Sequence, residues 1–350
     1  MSTTRSFSIK SLFARHEMVL VLVILFEVIL FNALGRRFLT GGNMSNVFRH
    51  SVEIGLLALA MTPVILTGGI DLSVGSMMGL CAVLFGMMVN VLGLDPWLAA
   101  FLAVGSGALG GGLNAVLITR LNLPPLIVTL GTFSLFRGLA EALTRGAESY
   151  SGFPESFLAL GNSDLAGIPA QVWVFIVFAA GIYLMVHHTT LGRSFRAIGY
   201  SPEGARYAGI PVARNTSIAY ILAGALAGLA AVILVARLGE ARANAGIGYE
   251  LLAITAVVLG GVSIFGGSGT VGGTFLGWIA LAFLNNGLTR ISDYRILDQP
   301  IASVARELSG LLTGLLLLTA LTIGASTKTL AVRRARKQSL STIKPSTTSP

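Results

Sequence analysis

The sequence predicts an all-α integral membrane protein with about ten transmembrane helices, and three observations carry that expectation. Of 350 residues, 54% are hydrophobic and only 11% charged, where a soluble domain carries about 25% charged residues. Mean hydropathy is correspondingly high, at +0.80. Apolar runs of the length that crosses a bilayer, about 20 residues, recur along the chain. They are continuous rather than alternating, which argues against a β-barrel. Glycine is abundant at 43 residues, about 12% against a usual ~7%, as expected where membrane helices pack backbone against backbone.

The apolar runs fall at 18–35, 47–67, 72–92, 97–119, 124–144, 171–187, 214–236, 249–265, 270–289 and 301–323. The first follows Arg5, Lys10 and Arg15 and ends at Gly35-Arg36-Arg37 with no small-residue cleavage site, so it reads as a retained span. Ten spans place both termini on one side. Assigning them to the cytoplasm puts the N-terminal cations, Arg120, the arginines at 193, 196, 206 and 214, and the basic tail inside. Arg36, Arg37, Arg145, Arg237, Arg242, Arg290 and Arg295 then fall outside, a bias of about two to one that supports the orientation. The expected organisation is a cytoplasmic segment 1–17, a transmembrane domain 18–325 with a cytoplasmic loop 188–213, and a disordered cytoplasmic tail 326–350.

The net charge of +9 sits largely in that tail, at Lys328, Arg333, Arg334, Arg336, Lys337 and Lys344. This is the juxtamembrane pattern of membrane proteins rather than a nucleic-acid surface. Cys81 is the single cysteine, so no disulfide framework or cysteine metal cluster exists. Adjacent His187 and His188 lack a metal-ligand spacing and read as interfacial. None of the four lysines, 10, 328, 337 and 344, follows a glycine, so there is no P-loop. No nucleophile elbow or catalytic carboxylate pair appears. No catalytic residue, metal or cofactor is expected.

Ionisable groups within spans are functional candidates by default, because placing them there is costly. Arg137 and Glu141 are four apart on one helix and read as a structural salt bridge. Glu27 and Glu53 stand alone.

Three segments carry more information. Between the second and third runs, Leu66-Thr-Gly-Gly-Ile-Asp-Leu-Ser-Val-Gly-Ser76 breaks one helix at Gly68-Gly69 and offers Asp71 or Ser73 to cap the next. It reads either as a tight turn or as a helix break near a permeation path. In the loop 188–213, Ser201 is placed as an N-cap, Pro202 at the first helical position, Glu203 in the first turn and Gly209 just past the end. Gly204, Ala205 and Ala208 keep one side small, and the helix lacks the broad apolar face of an interfacial helix. A docking element fits this pattern better. Finally, Gly269, Gly273 and Gly277 fall four apart, as do Gly224 and Gly228, giving small-residue stripes for close packing.

Together, Thr67–Gly75, Leu123-Pro-Pro-Leu-Ile-Val-Thr-Leu-Gly131, Leu191-Gly-Arg-Ser-Phe-Arg-Ala-Ile-Gly199 with Ala208-Gly-Ile210, and the glycine-rich Leu259–Gly277 resemble the permease subunit of ribose-type ABC sugar importers. The resemblance runs in order from about residue 45 to 325. It implies a type II ABC importer-like permease, non-catalytic, in the bacterial inner membrane and in contact with its lipid. Its implied partners are cytoplasmic ATP-binding subunits, a second permease subunit and a periplasmic sugar-binding protein. It also implies that Ser201, Pro202, Glu203, Ala205, Arg206 and Gly209 dock on the ATPase, with Arg193 and Arg196 orienting the loop. Gly68, Gly69, Asp71 and Ser73 are the candidate break in the translocation pathway. The chain departs from the family pattern at Tyr200-Ser201, where Gly-Asn is frequent, and at Gly204, where Ala is. Arg242–Glu250 and the Gly152-Phe-Pro154 loop look closer to rhamnose or autoinducer-2 permeases than to ribose permease. The competing expectation is an ion-coupled secondary transporter working without an ATPase.

Overall fold

A computed structural model describes residues 16–35, 37–146, 148–291, 295–296, 299–300, 308–319 and 322. The expected N-terminal segment is therefore described only at residues 16 and 17, and the tail 326–350 lies outside the described residues. Helices follow in the order α1 His16–Leu34, α2 Gly41–Arg49, α3 Val52–Leu66, α4 Val74–Asn90, α5 Pro96–Thr119 and α6 Pro125–Leu143. Then come α7 Glu155–Asn162, α8 Ala170–His188, α9 Thr190–Tyr200, α10 Pro202–Tyr207, α11 Val212–Leu238, α12 Tyr249–Leu259, α13 Val271–Arg290 and α14 Leu308–Thr319. Among the described residues strands are confined to two-residue pairings, including β1 Tyr150–Ser151 with β4 Glu240–Ala241, and β2 Asp164–Leu165 with β3 Ile168–Pro169.

Among the described residues six helices, α1, α5, α6, α8, α11 and α13, are long and apolar enough to cross a membrane, and α2 with α3 makes a seventh span if the bent pair counts as one. Among the described residues three shorter apolar helices, α4, α12 and α14, lie in the remaining runs, and residues 301–307, 320, 321 and 323 of the last run lie outside the described residues. The structure refines two of those spans and one loop. The run 47–67 is two helices meeting at 48°. The run 249–265 is helical only for the 11 residues of α12, about 16 Å of rise against a hydrocarbon core of ~30 Å. Beyond it, Gly260 and Gly261, the latter at φ +84°, turn the chain into irregular backbone. The loop 188–213 holds not one short helix but two, α9 and α10.

The core forms around α11, which packs on α5 most extensively and also on α3, α4 and α7. The α5–α11 contact is backbone against backbone: a Cβ on Gly224 would stand 2.0 Å from the Gly107 carbonyl oxygen, and one on Gly111 2.2 Å from the Tyr220 carbonyl oxygen. The α12–α13 contact is built the same way, Gly273 against the Gly260 carbonyl and Gly277 against that of Ala256. Both glycine stripes thus serve packing. The opposite faces of α5 and α6 leave Phe101, Leu109 and Ile127 exposed, the lipid-facing surface of such a bundle.

Two charged groups find partners the sequence did not suggest. Arg137 makes no ion pair with Glu141; its guanidinium donates to the backbone carbonyls of Ala243 and Ala245. Those carbonyls belong to the non-helical segment joining β4 to α12, where left-handed Gly246 and Gly248 forbid helix. Irregular backbone inside a bundle must be satisfied by other groups, and Arg137 performs that role better than a carboxylate on its own helix could. Glu53 does not stand alone: its Oε1 accepts from Arg237 Nε at 2.8 Å, with Glu53 fully buried.

Candidate functional site

The loop 188–213 folds from local signals. Thr189 caps α9, its hydroxyl accepting from the Gly192 N–H. Ser201 caps α10, its Oγ accepting from the Gly204 N–H at 3.0 Å, so one of the N–H groups left free at a helix start is satisfied. Pro202 occupies the first position, where its missing N–H costs nothing. Gly209, at φ +77°, closes the helix with its N–H on the Arg206 carbonyl. Ala205 is buried, while Pro202, Glu203, Arg206 and Gly209 are exposed. Tyr200 and Tyr207 flank the helix at 90% and 92% exposure. Two open aromatic rings thus stand near an exposed carboxylate and guanidinium.

Arg193 and Arg196 have different environments. Arg193 is exposed. Arg196 donates from Nη1 to the Val186 carbonyl at 3.0 Å, and its Nη2 stands 3.3 Å from His187 Nδ1. His187 Nε2 in turn accepts from the Val271 N–H at 3.2 Å. Arg196 and His187 therefore tie α8 and α9 to the first turn of α13.

A second connection joins the loop to the helix breaks. Gly199, at the end of α9, touches the Leu66 carbonyl: a Cβ there would stand 2.0 Å from that oxygen and 2.4 Å from the Gly267 nitrogen. The Gly267 N–H itself donates to the Leu66 carbonyl at 3.0 Å. Gly68 and Gly266, both at positive φ, complete the junction. The loop, the break after α3 and the turn between α12 and α13 thus meet at Gly199, three residues before the start of α10.

The break itself climbs into the bundle. Asp71 Oδ1 accepts from the Ser73 N–H at 2.8 Å and from its hydroxyl at 2.6 Å. Asn114 Nδ2 donates to Ser73 Oγ at 2.8 Å, and Thr132 Oγ1 donates to Asn114 Oδ1 at 2.7 Å. Thr129 Oγ1 donates to the Ile70 carbonyl. This buried chain locks the break to α5 and α6. Gly69 lies beside the fully buried Tyr220, which has no hydrogen-bond partner for its hydroxyl among the described residues. Of the four candidate break residues, Gly69, Asp71 and Ser73 are buried and Gly68 is exposed at the junction.

Sequence reasoning missed Asn114, Thr132, Tyr220, His187 and the Gly266–Gly267 contact. Single polar residues inside apolar runs are the signal that marks the first three. Among the described residues no cluster of three His, Cys, Asp or Glu side chains is placed to hold a metal ion.

A helical membrane bundle with broken spans carries an exposed, capped helix in the connection between two of them. Residues 43–321 match the family described as branched-chain amino acid transport system / permease component, and the chain belongs to that family. It is 37% identical over 309 residues to the autoinducer 2 import system permease protein LsrD of Photorhabdus luminescens, covering 87% of this chain and 89% of that one. It is 36% identical over 307 residues to the protein of the same name from Escherichia coli K12, covering 86% and 89%. No solved structure matches the chain. This is a membrane-spanning permease subunit of an ABC import system.

Proposed function

We propose that the chain pairs with a second permease subunit to form a pathway for a sugar-like small molecule, and that it catalyses no reaction itself. Cytoplasmic ATP-binding subunits drive it and a periplasmic binding protein delivers the cargo. The family description names branched-chain amino acids, whereas the near-full-length relatives are named for autoinducer 2; the motifs read above favour the second, with a ribose- or rhamnose-type cargo as near alternatives. Residues 18–325 form the permease domain, both termini face the cytoplasm, and the loop 188–213 faces the ATPase.

The observation that carries this reading is α10: a capped, exposed helix of six residues, joined through Gly199 to two broken spans. A connecting loop needs no such helix. In the proposed cycle, ATP-driven movement of α10 through Glu203 and Arg206 is transmitted at the Gly199 junction to the break at Gly68–Ser73 and to the α12–α13 turn. Alternating access follows from shifting those breaks rather than from bending continuous helices.

The test is affinity capture of the full chain from mildly solubilised native membranes, with uptake of autoinducer 2, D-ribose, L-rhamnose and L-leucine by the same system. Recovery of an ATP-binding subunit with uptake of an uncharged solute supports the reading. Recovery of the chain alone, with uptake driven by an ion gradient, replaces it by the secondary transporter.

A further inference from the structure

A cavity of about 320 Å³ opens between α2, α3, α12 and α13, at the lower end of the range of small-molecule sites. It sits where discontinuous elements meet, at the 48° bend of α2–α3 and beside the half-length α12, the kind of place where transporters hold their solutes. Its depth follows from α13. That helix begins at Val271 on the coupling-loop side, held there by His187, and the cavity takes its wall from Trp278 to Thr289. These residues lie about 10 to 27 Å along the helix axis, so the cavity runs from the middle of the bundle to the end opposite the loop.

The floor is apolar, with Ile54, Leu252 and the Trp278 indole, whose Nε1–H is already spent on the Ser51 carbonyl at 2.7 Å. Around it stand uncharged groups with unused hydrogen-bonding capacity. Asn286 Oδ1 accepts from Asn43 at 2.8 Å, which leaves its amino group. Thr289 Oγ1 donates to the Asn286 carbonyl at 2.7 Å, which leaves its lone pairs. His50 Nδ1 stands 2.9 Å from Arg237 Nη1; a guanidinium only donates, so His50 accepts there and carries its proton on Nε2. The exposed Asn46 carboxamide also lines the cavity.

No Asp, Glu, Lys or Arg is among the described residues that line the cavity. Of the charges that act on His50, Arg237 is committed to Glu53 and Arg49 to Asp164. A zwitterionic amino acid would find no counter-charge for either end, and leaving a charge unpaired in such a site is costly. Mixed donors and acceptors above an apolar floor match a neutral solute whose hydroxyls both give and accept while its C–H face packs on the floor.

We infer that this cavity is the outward-facing acceptor site of the permease, receiving an uncharged, hydroxylated small molecule through Asn46, His50, Asn286 and Thr289. The inference rests on the transport reading above and locates within it the site that the sequence left unassigned.

The experiment uses the full chain in native-membrane vesicles, with Thr289→Cys in a Cys81→Ala background and a small methanethiosulfonate as the label. Ser163→Cys, exposed at the same end of the bundle but not lining the cavity, is the control. Autoinducer 2, D-ribose, L-rhamnose and L-leucine are the solutes. One of the three uncharged solutes should slow labelling at position 289 by about tenfold when present at about ten times its Kd, with no change at position 163 and none with leucine. No slowing by any solute, or slowing by leucine, overturns the site. Asn286→Ala should raise the KM for uptake of the protecting solute by about two- to tenfold, the loss of one neutral hydrogen bond, with the ATP-binding subunit still co-purifying. An unchanged KM also overturns it. Wild-type uptake of an uncharged solute without protection sinks the acceptor site alone, whereas absence of such uptake sinks the transport reading.

Discussion

Arg237 closes the end of α11 over a carboxylate 184 positions earlier in the chain. Glu53 is fully buried and Arg237 nearly so, so neither charge can turn to water when the other is removed. Arg237→Leu should therefore cost about 3–5 kcal/mol of stability, read as a lower melting temperature of the detergent-solubilised protein. The double variant Glu53→Leu/Arg237→Leu should recover most of that loss, because breaking such a pair hurts more than deleting it. A double variant no more stable than Arg237→Leu would show that packing, not unpaired charge, sets the cost. Gly199 is the other residue on which much depends. A side chain there meets the Leu66 carbonyl and the Gly267 nitrogen at once, prying the loop from both breaks. Gly199→Val should lower uptake at least about tenfold, the size of one lost coupling interaction of ~1.4 kcal/mol, while the ATP-binding subunit still co-purifies. Neither dependence was legible in the sequence. Glu53 looked solitary and Arg237 looked like an outer-loop cation, because the contact between them exists only once α3 and α11 are packed.

At the scale of elements, what the sequence revealed was local. Helix α10 is set by a serine, a proline and a glycine within nine positions, and the structure places them as cap, first turn and terminator. The half-length of α12 was hidden, because the chain stays apolar through Phe265 and only Gly260–Gly261 breaks it. The bend between α2 and α3 falls at the polar Arg49-His50-Ser51, a signal that the reading of one span over 47–67 passed over. Separate predictions distinguish the folding of α10 from its docking. Ser201→Ala removes one cap and should loosen the helix by about 1 kcal/mol, seen as faster amide exchange at Gly204. Glu203→Lys with Arg206→Glu touches only exposed side chains and should leave melting unchanged within about 0.5 kcal/mol, yet abolish recovery of the ATP-binding subunit. Unaltered recovery would remove α10 from the interface. At the opposite end, the β1–β4 pairing carries its own pH dependence. Hydrogen bonds from Arg242 and then Ser149 hold the Glu240 carboxyl below its usual range. A depressed carboxyl stabilises the folded form above its unfolded value, about 4.3, and loses that contribution as pH falls through the folded one. Amide exchange at Tyr150 should thus be constant from pH 8 to 5, once corrected for its intrinsic rate, and accelerate only in the more acidic range.

For the molecule as a whole, the continuous apolar runs made the class readable, since no other solvent tolerates so few charges, while the way the runs are broken was not. Its sidedness rests on two independent arguments. In the proposed ten-span arrangement arginines collect on the side of the loop 188–213, and that loop holds α10, the exposed, capped helix proposed to meet the ATP-binding subunit. Helix α8 separates the two ends of the bundle: α7 and the β2–β3 pairing precede it, and α9 and α10 follow it. A residue on β2's flank and one on α10 must therefore report opposite faces, whatever the number of spans elsewhere. In intact spheroplasts carrying Cys81→Ala, an impermeant maleimide should label Ser163→Cys at once and Tyr207→Cys only after permeabilisation. Both substituted positions are exposed, so burial cannot mimic protection. The reverse pattern would turn the protein over, putting α10 on the outside where no ATP is available, and with it would fall the transmission route through Gly199 and the outward opening assigned to the cavity.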